Sequence, residues 1–384
     1  MPSYYADLHI HIGRTGAGRP VKITASPRLT LEAILEEAWR RKGLQIIGII
    51  DCASPGVLAD LDGLVGRELL REQSGGGLLY RSQLLLIPGC ELEVKMGRGR
   101  GHLLSYFPRL ENVKGFSQAL DPYVTNRELS TQQIALTADQ LLELTLEHQG
   151  VLIPAHVFTP HRSLLGSCVD ELREAFPAGK DYLLGIELGL SADSFMADRI
   201  SQLASLAFLT SSDAHSLPRI GREHTQFKLQ ELAFGPLIQA LKGQGGNAIV
   251  ANYGLDPRLG KYYHSCCGRC GSLQGHKTCE KCGGTMSPGV AQRIDQLGGD
   301  YRPPPGRPPY HHQIPLAFIP GCGPKTITKL IEAFGSEMAV LHQVPWEDLR
   351  PCVGETIADR ILANRQGTME IQGGGGGTYG RIKA

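Results

Sequence analysis

The chain has 384 residues, of which 41% are hydrophobic and 20% charged, which is typical of a globular protein with room for several modules. No apolar run approaches the roughly 20 residues that cross a bilayer, which argues against a membrane protein. The net charge of +1 excludes neither nucleic acid nor other partners, although residues 256–384 carry 15 Lys and Arg against 11 Asp and Glu. The N-terminus lacks the pattern of a signal peptide, so we expect a cytoplasmic protein.

The first 255 residues alternate apolar strand-like runs with amphipathic helical segments, the pattern of repeated β–α units. Most of these runs end in, or lead straight into, a His, Asp or Glu. The seven runs are Tyr5–His11, Gln45–Asp51, Leu84–Glu91, His102–Phe107, Val151–His156, Leu183–Glu187 and Leu206–Asp213. Between them, Thr30 precedes an apolar stripe that Gly43 closes, and Thr137 with Gln140 predicts a capping box. We therefore predict an α/β domain over residues 1–255.

The alternation fades after residue 255, and the composition predicts four further segments. Residues 256–300 form a compact Cys-rich module, and residues 301–312 form a stiff Pro-rich linker. Residues 313–370 form a helical domain, and residues 371–384 form a Gly-rich flexible tail.

Ligand-type side chains gather at the ends of the predicted strands. In the first strand, Asp7, His9 and His11 share one face because side chains alternate along a strand. Imidazole and carboxylate groups are good ligands for Zn²⁺ or Mn²⁺. The candidate metal ligands are His9, His11, Glu91, His102, His156, Asp213 and His215. One histidine alone is more often structural, but so many at successive strand ends predict a metal site.

Carboxylates that bridge histidine-bound ions suit a site in which one ion activates water and another stabilises the leaving oxygen. Phosphoester hydrolysis is the reaction that fits such a site. The candidate catalytic residues are Asp213, Glu91, His215 and Asp51.

Two CxxC knuckles, Cys267–Cys270 and Cys279–Cys282, are separated by eight residues. Each knuckle offers two thiolates to one tetrahedral ion, and Gly271 and Gly283 allow the tight turns. The pattern favours a structural Zn²⁺ and a reducing compartment over disulfides. One substitution in the ligand set stays open, because three spare ligands lie nearby: His264, Cys266 and His276.

Two glycine-rich turns precede apolar helical stripes in residues 313–370. Gly321 and Gly323 stand before Lys325 and Thr326, and Gly354 marks a weaker second copy. Backbone N–H groups of such a turn can bind a phosphate at a helix N-terminus. The pattern resembles the paired helix-hairpin-helix module, which implies a sequence-independent grip on the DNA backbone. The alternative is a helical packing domain without DNA contact.

The strand-end motifs resemble the PHP (polymerase and histidinol phosphatase) family over residues 4–220. The matching segments, in order, are Asp7–His11, Ile49–Asp51, Gly89–Glu91, Gly101–His102, Pro154–His156 and Ser212–His215. The resemblance implies a distorted seven-stranded β/α barrel. It also implies two metal sites, one formed by His9, His11, Glu91 and Asp213 and the other by Glu91, His102 and His215.

The third metal site of the PHP pattern is incomplete in this sequence. That site uses His156 with two further histidines, but no histidine lies between Gly13 and Pro20, and Cys52 follows Asp51 where the family has a histidine. The resemblance therefore predicts two or three divalent ions (Zn²⁺, Mn²⁺ or Mg²⁺), with Cys52 as the available ligand for a third.

The order of barrel, Cys-rich ribbon and helix-hairpin-helix, with the phrases Ile153–Pro160 and Gly254–Tyr262, resembles the endonuclease Q family over nearly the whole chain. The resemblance implies a DNA-repair endonuclease that nicks duplex DNA on the 5′ side of uracil, hypoxanthine, xanthine or an abasic site. The candidates for DNA or lesion contact are Phe158, His161, Arg162 and Ser163, with a purely structural loop as the alternative. The expected partners are lesion-containing double-stranded DNA and a replication clamp or other repair proteins.

Other functions stay open at this point. The chain could be a PHP-type 3′–5′ exonuclease or a small-molecule phosphatase, although a phosphatase needs no grip on a duplex. A non-catalytic DNA-binding scaffold with a degenerate barrel is the alternative of another class, and the incomplete third metal site favours it.

Overall fold

The structure, a computed structural model, describes residues 1–275, 277–374 and 378–382. His276 and part of the Gly-rich tail, both named above, lie outside these residues. The described strands are β1 (Ser3–Ile10), β2 (Ile46–Ile49), β3 (Leu70–Glu72), β4 (Leu78–Tyr80), β5 (Leu84–Met96), β6 (Gly99–Tyr106), β7 (Gln133–Thr137), β8 (Val151–Pro154), β9 (Gly185–Glu187), β10 (Ala207–Leu209), β11 (His224–Lys228), β12 (Ala248–Gly254), β13 (Cys266–Cys267), β14 (Met286–Ser287), β15 (Tyr310–His312), β16 (Ile371–Gln372) and β17 (Arg381–Ile382).

The helices cover the sheet and build the C-terminal part of the chain. They are α1 (Leu31–Glu36), α2 (Pro55–Gly66), α3 (Leu110–Ala119), α4 (Ala138–Glu147), α5 (Leu172–Ala175), α6 (Ser194–Ala197), α7 (Phe234–Leu241), α8 (Val290–Leu297), α9 (Pro324–Phe334), α10 (Glu337–His342), α11 (Trp346–Val353) and α12 (Glu355–Arg365). A π-helical turn over Glu37–Lys42 extends α1. Among the described residues, none of these helices has the length and apolar character that a membrane span requires.

The main sheet is mixed and contains eleven strands. Its hydrogen-bonded path runs β15-β12-β11-β1-β2-β5-β4-β3, while β6 and β7 pair with β5, and β8 pairs with β6. Strands β1, β2 and β5 are parallel neighbours, so their carboxyl ends lie at the same edge. All seven predicted strands are present. However, β9 and β10 form a separate parallel pair, so closure into a seven-stranded barrel is not confirmed among the described residues.

The predicted helix signals are confirmed at two positions. The hydroxyl of Thr30 caps α1 by accepting a hydrogen bond from the backbone N–H of Ala33, and Gly43 closes the following turn with φ +74°. At α4, the Thr137 hydroxyl accepts from the backbone N–H of Gln140, and the Gln140 side chain accepts from that of Thr137. The Thr30 cap and the capping box of α4 both satisfy backbone N–H groups that lack a hydrogen-bond partner inside the helix.

Part of the Pro-rich segment pairs with the main sheet. Residues Tyr310–His312 form β15, which lies parallel to β12, and the Pro309 carbonyl accepts from the backbone N–H of Asn252 at 2.9 Å. Proline cannot donate to a sheet, but the strand begins just after the prolines, where N–H groups are available. Upstream, the buried Arg307 guanidinium pairs with Asp198 at 2.9 Å. The second half of the predicted stiff linker over residues 301–312 is therefore joined to the α/β domain by these contacts.

The described ends of the tail also differ from the flexible segment expected for residues 371–384. Strands β16 and β17 pair antiparallel with each other. The backbone N–H of Gly374 donates to the Arg258 carbonyl at 2.7 Å, and that of Gly380 donates to the Leu259 carbonyl at 2.9 Å. These hydrogen bonds anchor the hairpin to the segment that follows β12.

Candidate metal centre

Histidine and carboxylate side chains on β1, β5 and β6, and in the segments just after β1, β8 and β10, meet in two adjacent groups. The first group contains His9, His11 and Asp213, and the second contains Glu91, His102 and His156. Within each group the potential ligand atoms all lie within 4.8 Å of one another. The fold therefore brings together six of the seven predicted metal ligands.

Glu91 connects the two groups. Its Oε1 lies 3.6 Å from His9 Nε2, 3.5 Å from His156 Nε2 and 2.8 Å from His102 Nδ1. Its Oε2 lies 3.5 Å from His11 Nε2. One carboxylate thus faces imidazoles of both groups, which is the position of a ligand shared by two ions.

Several ring nitrogens of these groups are buried without a hydrogen-bond partner: His9 Nε2, His11 Nε2 and both nitrogens of His102. His102 Nδ1 is close to Glu91 but outside hydrogen-bond geometry, and the other separations of about 3.5 Å are too long for a good hydrogen bond. Two ligand atoms on one tetrahedral ion lie roughly 3.4 Å apart for metal–ligand distances near 2.1 Å. Because buried polar atoms are rarely left unsatisfied, these residues fit divalent ions.

Carboxylates behind the first group orient its imidazoles. His9 Nδ1 lies 2.9 Å from Glu187 Oε2, and His11 Nδ1 lies 3.1 Å from Asp51 Oδ1. Such pairs fix the tautomer that leaves Nε2 unprotonated, so that this nitrogen could bind a metal ion. Asp51, a candidate catalytic residue, thus contacts His11, and Glu187, which ends one of the predicted strand-like runs, contacts His9.

Charges in the centre are strongly coupled. Burial alone would lower the pKa of His9, but the carboxylates of Glu187 and Asp213 raise that pKa to about 10. Burial would raise the pKa of Asp213, but His11 and His9 hold it well below its ordinary value. The centre therefore keeps its carboxylates ionised and favours positive charge among the imidazoles, a charge that divalent ions supply when bound.

Two of the site residues have strained backbones. His156 has φ +29° and Asp213 has φ +46°, a region that residues other than glycine seldom adopt. Such strain persists only where the surrounding structure enforces it, and it is common at functional sites.

His215 does not lie where the PHP pattern places it. Its Nδ1 faces the Asp213 backbone carbonyl at 3.1 Å, and its ring packs against His11 with centroids 4.5 Å apart. His156, not His215, joins Glu91 and His102 in the second group. Cys52 is also displaced from the centre, because its Sγ is buried and donates to the Ile49 carbonyl at 3.2 Å. The use of Cys52 for a third ion is therefore unsupported.

A cleft of about 480 Å³ opens on the two groups, and His102, His156, Asp213 and His215 contribute to its lining. Its other lining residues include cationic and aromatic side chains: His161, Arg162, Arg219, Lys261, Tyr262 and Tyr379. Of the four predicted contact residues, His161 and Arg162 thus lie at the cleft, whereas Phe158 and Ser163 are buried. Arg219, Lys261, Tyr262 and Tyr379 were not among the predicted site residues, and Tyr379 comes from the tail, where no motif indicated a role.

The four cysteines of the knuckles form a compact group. Cys267 Sγ lies 3.5 Å from Cys282 Sγ, and Cys270 Sγ lies 3.6 Å from Cys279 Sγ, with no disulfide among them. The edge of a tetrahedral ZnS₄ site is roughly 3.8 Å for Zn–S distances near 2.3 Å, so the thiolates fit one such ion. Both turn glycines have positive φ, as expected.

The first glycine-rich turn of the helical segment lies against α12, the helix that follows the second turn. Gly321 and Gly354 have φ of +92° and +82°, and Gly323 caps α9. Arg360 donates to the Pro320 carbonyl at 2.9 Å and so ties α12 to the first turn. The Thr326 hydroxyl donates to the Gly321 carbonyl at 3.2 Å, whereas the Lys325 side chain is exposed.

Known proteins resemble the chain over different lengths. The family described as PHP-associated matches residues 193–244. The uncharacterized protein YqxK of Bacillus subtilis (strain 168) is 47% identical over 390 residues, which cover 100% of both chains. The uncharacterized protein MJ0043 of Methanocaldococcus jannaschii is 38% identical over 250 residues, which cover 59% of this chain and 31% of that protein.

The crystal structure of the lesion-specific endonuclease PfuEndoQ from Pyrococcus furiosus superposes with a TM-score of 0.86 and 34% identity, and covers 100% of this chain and 95% of that chain. The chain belongs to the endonuclease Q family. A structure of Endonuclease Q with a 27-mer duplex that has an abasic lesion at the active site gives the same TM-score of 0.86 and 34% identity, covering 96% of that chain. As an endonuclease Q family member, the chain is a metal-dependent nuclease.

Proposed function

We propose that the chain is a DNA-repair endonuclease that hydrolyses the phosphodiester on the 5′ side of uracil, hypoxanthine, xanthine and abasic sites. The observation that carries this proposal is the pair of buried ligand groups at a cleft lined by Arg162, Arg219 and Lys261. Metal ligands beside cationic side chains suit a phosphodiester. The abasic duplex bound by the related Endonuclease Q supports a damaged substrate.

In this proposal His9, His11 and Asp213 bind one ion, His102 and His156 bind a second, and Glu91 is shared. Zn²⁺, Mn²⁺ or Mg²⁺ bound there would supply Lewis-acid stabilisation and an activated water. The protein's own contribution is to hold the imidazoles through their carboxylate partners and to keep the ligands buried. His215 lies beside Asp213 at the cleft, where it can contact the substrate phosphate.

The cleft also suits a nucleotide that has left the helix. A damaged or missing base costs less to unstack than an intact pair, which favours lesions over normal DNA. Tyr262 and Tyr379 offer aromatic faces, and His161 packs against Tyr262 with ring centroids 5.8 Å apart. Stacking on such faces tolerates different bases, in agreement with a broad set of lesions.

The ribbon, with one structural Zn²⁺ on Cys267, Cys270, Cys279 and Cys282, and the paired turns would hold the duplex outside the cleft. In this proposal, backbone N–H groups near Gly323 and Gly354, together with Lys325, bind phosphates as a helix-hairpin-helix module does. A clamp or other repair partner and closure of the barrel stay predictions. So does a cytoplasmic location, with which the ten unpaired cysteines agree.

The substrate proposal is tested with labelled duplexes that contain one uracil, hypoxanthine or abasic site, incubated with Mg²⁺ or Mn²⁺. We expect a single nick on the 5′ side of each lesion and no cleavage of the undamaged duplex. A ladder from the 3′ end would indicate an exonuclease instead. Release of phosphate from small monoesters alone would indicate a phosphatase, and binding without cleavage would indicate a scaffold.

The proposed DNA grip of the helical segment is tested with Lys325→Glu. The substitution replaces one phosphate contact by a negative charge, so we expect binding to all duplexes to weaken several-fold. The slope of log affinity against log salt concentration should become shallower by about one. The measurement is a salt titration of duplex affinity by fluorescence anisotropy. Lys242→Glu, at an exposed position next to α7, is the matched control and should bind as the wild type does. Equal affinity of the two variants would contradict a role of this turn in DNA binding.

A further inference from the structure

Lys22 is a nearly buried lysine that contacts the shared carboxylate of the metal centre. Its Nζ donates to Glu91 Oε2 at 3.0 Å and to Thr131 Oγ1 at 2.5 Å. The Thr131 hydroxyl donates to the same Glu91 oxygen at 2.8 Å. The Lys22 side chain is only 12% exposed, and the ion pairs of the described residues give Glu91 no other Lys or Arg partner. We call these three side chains the Lys22–Thr131–Glu91 triangle.

The triangle fixes the plane of the Glu91 carboxylate. With Oε2 held by two donors, Oε1 faces His102 and His156 while Oε2 stays 3.5 Å from His11. A glutamate without such partners can rotate about its side-chain torsions and present both oxygens to one ion. Ligands that must serve two ions depend on neighbours that hold them in place.

Backbone geometry provides a second, independent observation. Thr131 has φ +49°, a left-handed conformation that is strongly disfavoured for a β-branched residue. The neighbouring Ser130 N–H donates to the Val21 carbonyl at 3.1 Å, so the loop that carries Thr131 is joined to the loop that carries Lys22. The fold therefore holds both donors against Glu91 at a conformational cost, which is typical of functional positions.

Charge also favours a fixed cation at this position. The carboxylates that contact the imidazoles of the centre are Asp51, Glu91, Glu93, Glu187 and Asp213. Lys22 pairs with Glu91, and Arg162 and Arg100 pair with Glu93 at 3.1 Å and 3.9 Å. With neutral imidazoles, these side chains leave an excess of two negative charges, which two divalent ions would convert to a small positive charge suited to a phosphodiester.

We infer that Lys22 is a positioning residue, whose ammonium group, together with the Thr131 hydroxyl, holds Glu91 as the ligand shared by two divalent ions. The inference rests on the proposed two-ion function and concerns how the second ion is retained. Lys22 acts through Glu91, so metal affinity is the property that it controls most directly.

The test is an Mn²⁺ titration of the full-length protein, followed by electron paramagnetic resonance, with metal analysis after dialysis. We expect the wild type to bind two Mn²⁺ in addition to the ribbon metal. Lys22→Met should weaken the second Mn²⁺ about 10- to 100-fold, the usual range when a partner of a metal ligand is lost. Thr131→Ala should weaken it less, Thr131→Ser should restore it, and the exposed control Lys242→Met should leave it unchanged.

Unchanged or tighter Mn²⁺ binding by Lys22→Met would overturn the inference, because Lys22 would then be neutral toward the ions or merely repel them. If Lys22→Met loses the ribbon metal and its cooperative thermal transition, it has not folded, and the Thr131→Ala and Thr131→Ser pair decides the question in its place. If the wild type retains the ribbon metal but binds no Mn²⁺, this result would instead contradict the proposed function itself. The two failures are therefore distinguishable.

Discussion

Asp213→Asn is expected to reduce nicking of a uracil-containing duplex on the order of 10³-fold while leaving duplex binding nearly unchanged. Asp213 Oδ1 lies 3.5 Å from both His9 Nε2 and His11 Nε2, so it completes the first ligand group. A neutral amide is a much poorer ligand than a carboxylate, and the loss of a bound ion removes several kcal/mol of charge stabilisation. Asparagine has nearly the same size and tolerates φ +46° better than most residues, so the fold should persist.

The measurement is single-turnover cleavage in Mn²⁺ beside equilibrium binding of the same duplex. Asp181→Asn is the matched control, since the Asp181 side chain is 84% exposed, and it should cleave like the wild type. Substantial cleavage by Asp213→Asn would show that Asp213 is not an essential ligand. A parallel loss of DNA binding would show that the substitution disturbs more than the metal centre.

Cys279→Ser is expected to remove the ribbon metal and to unfold the ribbon. Among the residues that the structure describes, the ribbon's own hydrophobic cluster buries only Cys267, Cys279 and Met286. Such a cluster is too small to hold the two knuckles together, so the metal–thiolate bonds supply most of the stability. Metal analysis should show the loss of one ion per chain, and amide hydrogen exchange should show lost protection between residues 263 and 289.

Cys266→Ser provides a matched control one residue from the first knuckle. Cys266 lies on β13 but is not part of the four-cysteine group, so this variant should retain the metal and its protection. Retention of the metal by Cys279→Ser, or its loss from Cys266→Ser, would mean that a spare residue replaces one of the four cysteines.

Local patterns predicted the strands that carry the metal ligands and the capping box of α4. Alternation of polar and apolar residues placed His9 and His11 on one face, and the runs that lead into Glu91 and Asp213 marked strand ends. These features depend on residues close together in the chain, so a single sequence contains enough information to find them.

Contacts between distant segments were not predictable in the same way. The grouping of His156 with Glu91 and His102 depends on how separate strands pack, and Lys22 is 69 residues from Glu91. Asp51 was predicted as a catalytic residue because it ends a strand-like run, but its orientation toward His11 depends on tertiary packing. Strand β15 was not predicted, because the prolines before Tyr310 indicate extended chain without showing whether that chain pairs with another strand.

Strand β15 restricts how far the ribbon can move relative to the main sheet. The chain leaves the main sheet at the end of β12, builds the ribbon and α8, and returns to pair with β12 itself. The ribbon is thus an insertion anchored at both ends to one sheet, and it cannot swing on a single tether. If the ribbon binds the duplex, it would hold the duplex at a constant distance from the cleft. The protein backbone between the ribbon and the sheet would then set the distance between the lesion and the cut.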